Sequence, residues 1–155
     1  MERGAGGPEV AGPPAVVVDA SVAVKWFNPE DFHEEALALR DDHVAHRIVL
    51  AAPSLLVWEV GNALRYSQEL GAGDVKEAMH DLIDLQVVLY EPEPGWLEEA
   101  VDEAFQGGLT LYDAGYVALA RHLRARLYTA DDRMVDVAGK DVASLISEYR
   151  QGRRG

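Results

Sequence analysis

The chain alternates short, uniformly apolar runs with longer stretches in which apolar residues recur every three or four positions. Ala15-Val-Val-Val, ending at Asp19, is β-branched and shows no polar residue on either face, the pattern of a strand covered on both sides. Ile48 to Ala51 is a second short apolar strand, Arg126 to Ala130 forms another strand, and Gln86 to Tyr90 and Val142 to Leu145 are strand-like segments. Between them the spacing predicts a short helix from Ser21 to Phe27 and a second from Glu30 to His46, opened by Pro29. Further helices are predicted from Leu55 to Leu70, closed by Gly71, from Asp74 to Leu85, and from Trp96 to Phe105, broken by Gly107-Gly108. Thr110 caps a helix from Leu111 to Arg124, Asp132 to Ala138 forms a short one, and Ile146 to Arg150 makes a closing turn. Strands and helices in alternation indicate an α/β fold with a mostly parallel central sheet.

A length of 155 residues fits one domain, here expected over residues 15–150. Met1 to Pro14 is rich in glycine and proline and lacks a cationic start followed by an apolar stretch, so it reads as a disordered extension and not as a signal peptide. Residues 151–155 read as a flexible basic tail. No apolar run approaches the roughly 20 residues that cross a bilayer. Cysteine is absent, which excludes disulfides, thiolate metal sites and a cysteine nucleophile, and fits a cytoplasmic setting.

A net charge of -13 opposes phosphate binding in general, but the distribution changes that picture. Residues 1–103 carry 6 basic and 21 acidic side chains, whereas residues 104–155 carry 8 basic and 6 acidic ones. Arg121, Arg124 and Arg133 in the basic third are therefore candidate substrate-binding residues, against the alternative of a solvated helix face.

Four acids occupy places where acids are costly or informative. Asp19 and Asp131 end the first and fourth expected strands, where open parallel sheets collect their ligands. Each could equally cap the helix that follows. Glu59 lies on the apolar stripe of its helix, three residues after Leu56 and four before Ala63, where a carboxylate needs a partner or a metal. Arg65 or Lys25 could supply that partner, and Asn62 shares the face. Asp113 sits in the first turn of a largely apolar helix, where Thr110-Leu-Tyr-Asp also matches a capping box. Clustered carboxylates raise one another's pKa unless cations neutralise them, and an all-oxygen donor set favours Mg²⁺ or Mn²⁺ over Zn²⁺. Trp26, Phe27 and Trp58 are either core aromatics or an exposed groove for a partner helix.

Four stretches carry a family resemblance: residues 16–27 (Val-Val-Val-Asp-Ala-Ser-Val-Ala-Val-Lys-Trp-Phe), 53–64 (Pro-Ser-Leu-Leu-Val-Trp-Glu-Val-Gly-Asn-Ala-Leu), 109–120 (Leu-Thr-Leu-Tyr-Asp-Ala-Gly-Tyr-Val-Ala-Leu-Ala) and 127–134 (Leu-Tyr-Thr-Ala-Asp-Asp-Arg-Met). In this order and spacing the chain resembles the PIN-domain family, particularly VapC-type toxins of toxin and antitoxin pairs. The resemblance implies a three-layer α/β/α sandwich. It also implies that Asp19, Glu59, Asp113 and Asp131 form a catalytic, metal-holding site, with Ser21, Asn62 and Thr129 as supporting groups and Asp132 as an alternative fourth acid. Further implications are an RNA substrate, a VapB-like antitoxin lying across the site, and a homodimer, with no membrane association.

The expected chemistry is RNA phosphodiester hydrolysis by water activated on one or two Mg²⁺ or Mn²⁺ ions. Competing readings are a DNA nuclease or phosphohydrolase using the same acids, and a non-catalytic binding module, whose mark would be loss of the acids.

Overall fold

The computed structural model describes residues 12–149. All of the expected amino-terminal extension except its last three residues, and the expected basic tail, lie outside that range.

Five strands form one sheet in the order β3-β2-β1-β4-β5, with every neighbouring pair parallel. They are β1 (Ala15–Val18), β2 (Val49–Pro53), β3 (Val88–Tyr90), β4 (Arg126–Thr129) and β5 (Ala143–Leu145). The helices are α1 (Ala20–Ala23), extended by a 3₁₀ turn at Val24–Trp26, α2 (His33–Val44), α3 (Leu55–Arg65), α4 (Ala72–Asp84), α5 (Pro94–Gly107), α6 (Leu111–Leu123) and α7 (Asp132–Ala138). The chain builds outward from β1 to β3, then returns past β1 to β4 and β5. Right-handed crossovers accordingly place α1 to α4 on one face and α5 to α7 on the other, giving three layers. The direction of travel reverses between β1 and β4, the place where such sheets open a crevice at the carboxyl ends of their strands.

Several element limits differ from the sequence expectation, each for a local reason. α2 begins at His33 because Phe32 turns through the left-handed region at φ 65°, leaving Pro29 in the connecting loop. α3 stops at Arg65, and Gly71 opens α4 instead of closing α3: the Gly71 N–H donates to Asp74 Oδ2 at 2.8 Å, so Asp74 braces the helix start from its first turn. α5 begins at Pro94, whose fixed φ suits a first helical position, and it ends at Gly108, where φ 67° suits glycine.

The core lies on both faces of the central strands. Val17, Val18, Leu50 and Leu127 are fully enclosed, and α6 buries six residues from Ala114 to Ala120 against the sheet. Trp26 and Phe27 belong to this packing, edge to face at 6.2 Å, with Trp26 Nε1 donating to the Ala36 carbonyl at 2.8 Å. Trp58 is 77% exposed, so the three aromatics do not form one groove. α4 approaches α3 at Gly61, where a Cβ would come within 3.2 Å of Met79. Among the described residues no helix is long and apolar enough to cross a membrane.

Candidate active site

β1 and β4 run side by side, with Val18 opposite Tyr128, so their carboxyl ends deliver Asp19 and Asp131 to the same edge of the sheet. A cleft of about 270 Å³ opens there, and its walls come from four helices. Asp19, Ser21, Glu59, Asn62, Asp113 and Asp131 all line it, joined by Tyr116 and Met134. Among the described residues no lysine, arginine or histidine is in the lining.

Asp19 is the most enclosed acid of the cleft, 4% exposed, and both its oxygens accept hydrogen bonds. Ser21 Oγ donates to Oδ1 at 2.6 Å, Thr129 Oγ1 donates to Oδ2 at 2.6 Å, and the Val22 N–H reaches Oδ1 at 3.3 Å. The last contact caps α1, so Asp19 fills the capping role and the strand-end role together. Burial nevertheless dominates and pushes its pKa up to about 6; the three donors oppose that rise, and the Asp113 charge adds to it. Ser21 and Thr129 are themselves tied down, since Ser21 Oγ accepts from the Ala130 N–H at 2.9 Å and Thr129 Oγ1 from the Asp131 N–H at 3.0 Å. One polar knot thereby joins the ends of β1 and β4.

Asp131 caps α7, accepting from the Arg133 N–H at 2.9 Å, and stays exposed on the cleft wall. Asp132 lies in the first turn of α7 and does not line the cleft. Asp113 follows Thr110, whose hydroxyl accepts the Asp113 N–H at 3.0 Å, so the first turn of α6 holds the carboxylate at the cleft. Its pKa is raised by burial and then by Asp131, with Thr110 and Arg133 working the other way. Glu59 is raised first by burial, then by Asp113. Asp113 thus acts on both Asp19 and Glu59 and is acted on by Asp131, which is the electrostatic signature of acids sharing one space.

Glu59 has neither of the basic partners that its sequence position suggests. Lys25 pairs with Glu30 at 3.3 Å, and Arg65 stands over the Tyr66 ring. Its partner is Tyr116, whose hydroxyl donates to Glu59 Oε1 at 2.6 Å. By sequence Tyr116 counts only among the apolar residues of α6. Its position three residues after Asp113, one turn along the same face, is the signal that could have found it.

The three arginines fall differently. Arg133 stands at the start of α7 beside Asp113, with its guanidinium on the Gly108 carbonyl. Arg121 donates to Glu103 Oε2 at 2.5 Å and to the Ala138 carbonyl at 2.9 Å, joining α5, α6 and α7 away from the cleft. Arg124 closes the carboxyl end of α6 in the left-handed conformation, at the far end of that helix from Asp113.

The carboxylate donor set fits a hard divalent cation, being all oxygen and, among the described residues of the lining, free of competing positive side chains. Among the described residues no three acidic, histidine or cysteine side chains are grouped closely enough to enclose an ion alone. Mg²⁺ suits such a partial shell, because it is held by one or two carboxylates while water and phosphate oxygens complete its octahedron.

Comparison with known proteins agrees with this architecture. Residues 16–140 match the family model described as PIN domain. The chain is 34% identical over 124 residues to ribonuclease VapC9 of Mycobacterium tuberculosis, covering 78% of this chain and 89% of that one. Among solved structures it is similar to PAE2754 from Pyrobaculum aerophilum, with a TM-score of 0.66 and 24% identity over 86% of this chain and 85% of that one. A second likeness is to VapBC2 from Rickettsia felis, solved bound to a DNA fragment from its promoter. There the TM-score is 0.58, with 14% identity over 84% of this chain and 98% of the other.

Proposed function

We propose, from the premise that this chain belongs to the PIN-domain family, that it is a Mg²⁺- or Mn²⁺-dependent endoribonuclease and the toxin of a toxin-antitoxin pair. The observation that carries this reading is the convergence of Asp19, Glu59, Asp113 and Asp131, far apart in sequence, on one cleft whose lining among the described residues holds no positive charge. A structural role would have paired such acids with arginine or lysine, because unpaired carboxylates at this burial oppose folding.

Carboxylates from the set Asp19, Glu59, Asp113 and Asp131, with water completing the shell, would hold the metal, which when bound supplies an activated water and stabilises the leaving oxygen during phosphodiester cleavage. Ser21 and Thr129 keep the Asp19 carboxylate oriented and partly ionised in spite of its burial. Tyr116 does the same for Glu59. Asn62, exposed on the cleft wall, offers an amide to the substrate or to a water. Arg133, beside Asp113, is the basic residue best placed to meet a phosphate at the cleft mouth. Support for RNA as substrate and for an antitoxin partner comes from the likeness to ribonuclease VapC9 and to the VapBC2 structure. Support for a homodimer comes from the exposed apolar row Leu97, Val101 and Phe105 along α5.

The test is cleavage of RNA and of single-stranded DNA, with and without Mg²⁺ or Mn²⁺, by wild type and Asp19→Asn. RNA cleavage by wild type alone, abolished by EDTA, is expected. Equal cleavage by both proteins, or indifference to EDTA, overturns the reading.

A further inference from the structure

Among the described residues up to Glu103, five lysine and arginine side chains carry positive charge. Three are neutralised within the fold: Lys25 by Glu30 at 3.3 Å, Arg40 by Asp41 at 3.0 Å and Arg47 by Asp42 at 2.7 Å. The other two, Arg65 and Lys76, enter no ion pair among the described residues and line one groove between the end of α3 and the first turns of α4. Leu70, Gly71, Ala72 and Val75 form its apolar floor. In a chain of net charge -13, the unpaired cations among the described residues up to Glu103 thus line one depression.

The groove and the cleft are both lined from helix α3. Glu59 and Asn62 line the acidic cleft from α3, and Arg65 follows Asn62 by three residues, on the same side of the helix one turn further on. Six residues separate Glu59 from Arg65, about 9 Å along the helix axis. Tyr66 comes next, 72% exposed, with the Arg65 guanidinium 5.3 Å from its ring centroid. A cation lying over an exposed aromatic ring brings together the two groups that single-stranded nucleic acid uses, since cations follow the backbone while bases stack on rings. The amino terminus of α4 takes no part, because the Asp74 carboxylate already occupies the Gly71 N–H at 2.8 Å.

Resting on the ribonuclease reading, we infer that the α3–α4 groove is the track along which the RNA strand extends from the acidic cleft, with Arg65 and Lys76 on backbone phosphates and Tyr66 stacked on a base. The charge arrangement favours a polyanion over an apolar partner helix, which would leave both cations unmatched.

The experiment measures binding of a labelled single-stranded oligouridylate to full-length Asp19→Asn protein, which separates binding from cleavage, across a salt series. Adding Arg65→Gln and Lys76→Gln together is expected to weaken binding and to flatten the dependence of log affinity on log salt by about 1.4, at roughly 0.7 for each phosphate left without its cation. Tyr66→Ala is expected to weaken binding roughly tenfold with the salt slope retained. Arg40→Gln, at a half-buried cation already paired on α2, serves as the control that changes neither. In the wild-type background the Arg65→Gln, Lys76→Gln pair is expected to raise KM for RNA. A double variant that keeps its fold by circular dichroism and retains full affinity and salt slope overturns the inference, as does loss of antitoxin binding with RNA binding intact. Failure of the wild type to cleave any RNA would instead strike the ribonuclease reading, so the two failures are told apart.

Discussion

Tyr116 donates its hydroxyl to Glu59 Oε1 at 2.6 Å, so the carboxylate on α3 is held by a phenol from α6 on the opposite layer of the fold. Tyr116 is 1% exposed, its ring is part of the core, and its own pKa is driven far up by burial and by the neighbouring Glu59 charge. It therefore stays a donor at every working pH, and the bond lowers the pKa of a Glu59 that burial raises. Tyr116→Phe keeps the ring and removes the donor. A hydrogen bond to a charged group contributes about 1.5–3 kcal/mol, so kcat/KM on RNA is expected to fall roughly ten- to a hundredfold while the fold persists. Thermal unfolding with and without Mn²⁺ supplies the second readout, with a smaller ion-induced rise in Tm for the variant. Unchanged kcat/KM and an unchanged Mn²⁺ shift would mean that Glu59 is positioned by something else.

Asp19 gives the pH prediction. In the unfolded chain this group ionises near its ordinary value of 3.8, but in the folded protein only near 6. The folded state thus holds a proton that the unfolded state has already released, and stability from this group is full below pH about 4 and is lost as pH rises to about 6. The loss at neutral pH is of the order of 3 kcal/mol for a fully enclosed carboxylate. Asp19→Asn removes it, so the metal-free variant is expected to melt several degrees above wild type at pH 7 while cleaving no RNA. The gap should close as pH falls towards 4. A variant less stable than wild type at pH 7 would show that the hydrogen bonds to the carboxylate outweigh the cost of burying its charge.

Divalent binding should carry the opposite dependence. A proton and a cation compete for Asp19, so the Mn²⁺-induced rise in Tm is expected to shrink as pH falls through about 6. Titration calorimetry at pH 5 and pH 7.5 checks this, and equal affinities at both would remove Asp19 from the ion's shell.

Thr129 ties the site to the sheet. Its hydroxyl donates to Asp19 Oδ2 at 2.6 Å and accepts the Asp131 N–H at 3.0 Å, and the residue is fully buried. Thr129→Val preserves shape but leaves the part-buried Asp131 amide without its acceptor and withdraws a donor from the buried Asp19 carboxylate. A cost of about 1–3 kcal/mol in unfolding free energy is expected from the orphaned groups. The pH at which Mn²⁺ binding weakens should also move upward, because one of the donors that lower the Asp19 pKa is gone. Thr129→Ser, which keeps the hydroxyl, should restore both.

How much of the molecule is legible in the sequence depends on the range of the interaction. Strand β1 and helices α6 and α7 follow from local patterns, and their limits match the expectation within a residue. The four acids stand out because each is anomalous in its own neighbourhood: two end apolar strands and two sit on apolar helix faces. Their convergence rests on β1 and β4 being neighbours, which periodicity alone does not encode. Glu59 shows where local reasoning stops. Its partner lies 57 residues away on another layer, so the nearby arginine and lysine are the natural candidates and Tyr116 reads as packing. Gly71 misleads for a related reason, since a glycine between two helices can end the first or begin the second. Asp74 decides it by accepting the Gly71 N–H from inside the first turn, so the helix starts ahead of Asp74, the residue at which the sequence pattern begins it.

Charge groups Arg121 with Arg124 and Arg133, yet its contacts argue for structure. It bonds Glu103 on α5 and the last carbonyl of α7 at once, and both partners sit beside the close approach of Gly107 to Val137. A planar guanidinium can serve two acceptors set at an angle, which a single ammonium on a flexible stem does less well. Arg121→Gln leaves the half-buried Glu103 without its cation, so the variant is expected to lose about 1–2 kcal/mol of stability, more than the roughly 0–1 kcal/mol typical of an exposed pair. Arg121→Lys should recover part of it. RNA affinity of the folded protein should stay within a factor of about two, because the side chain lies outside both the acidic cleft and the α3–α4 groove. Denaturant unfolding and the oligouridylate binding assay separate these outcomes. Stable protein with a flattened salt dependence would return Arg121 to the substrate-binding surface and extend the RNA path over α6.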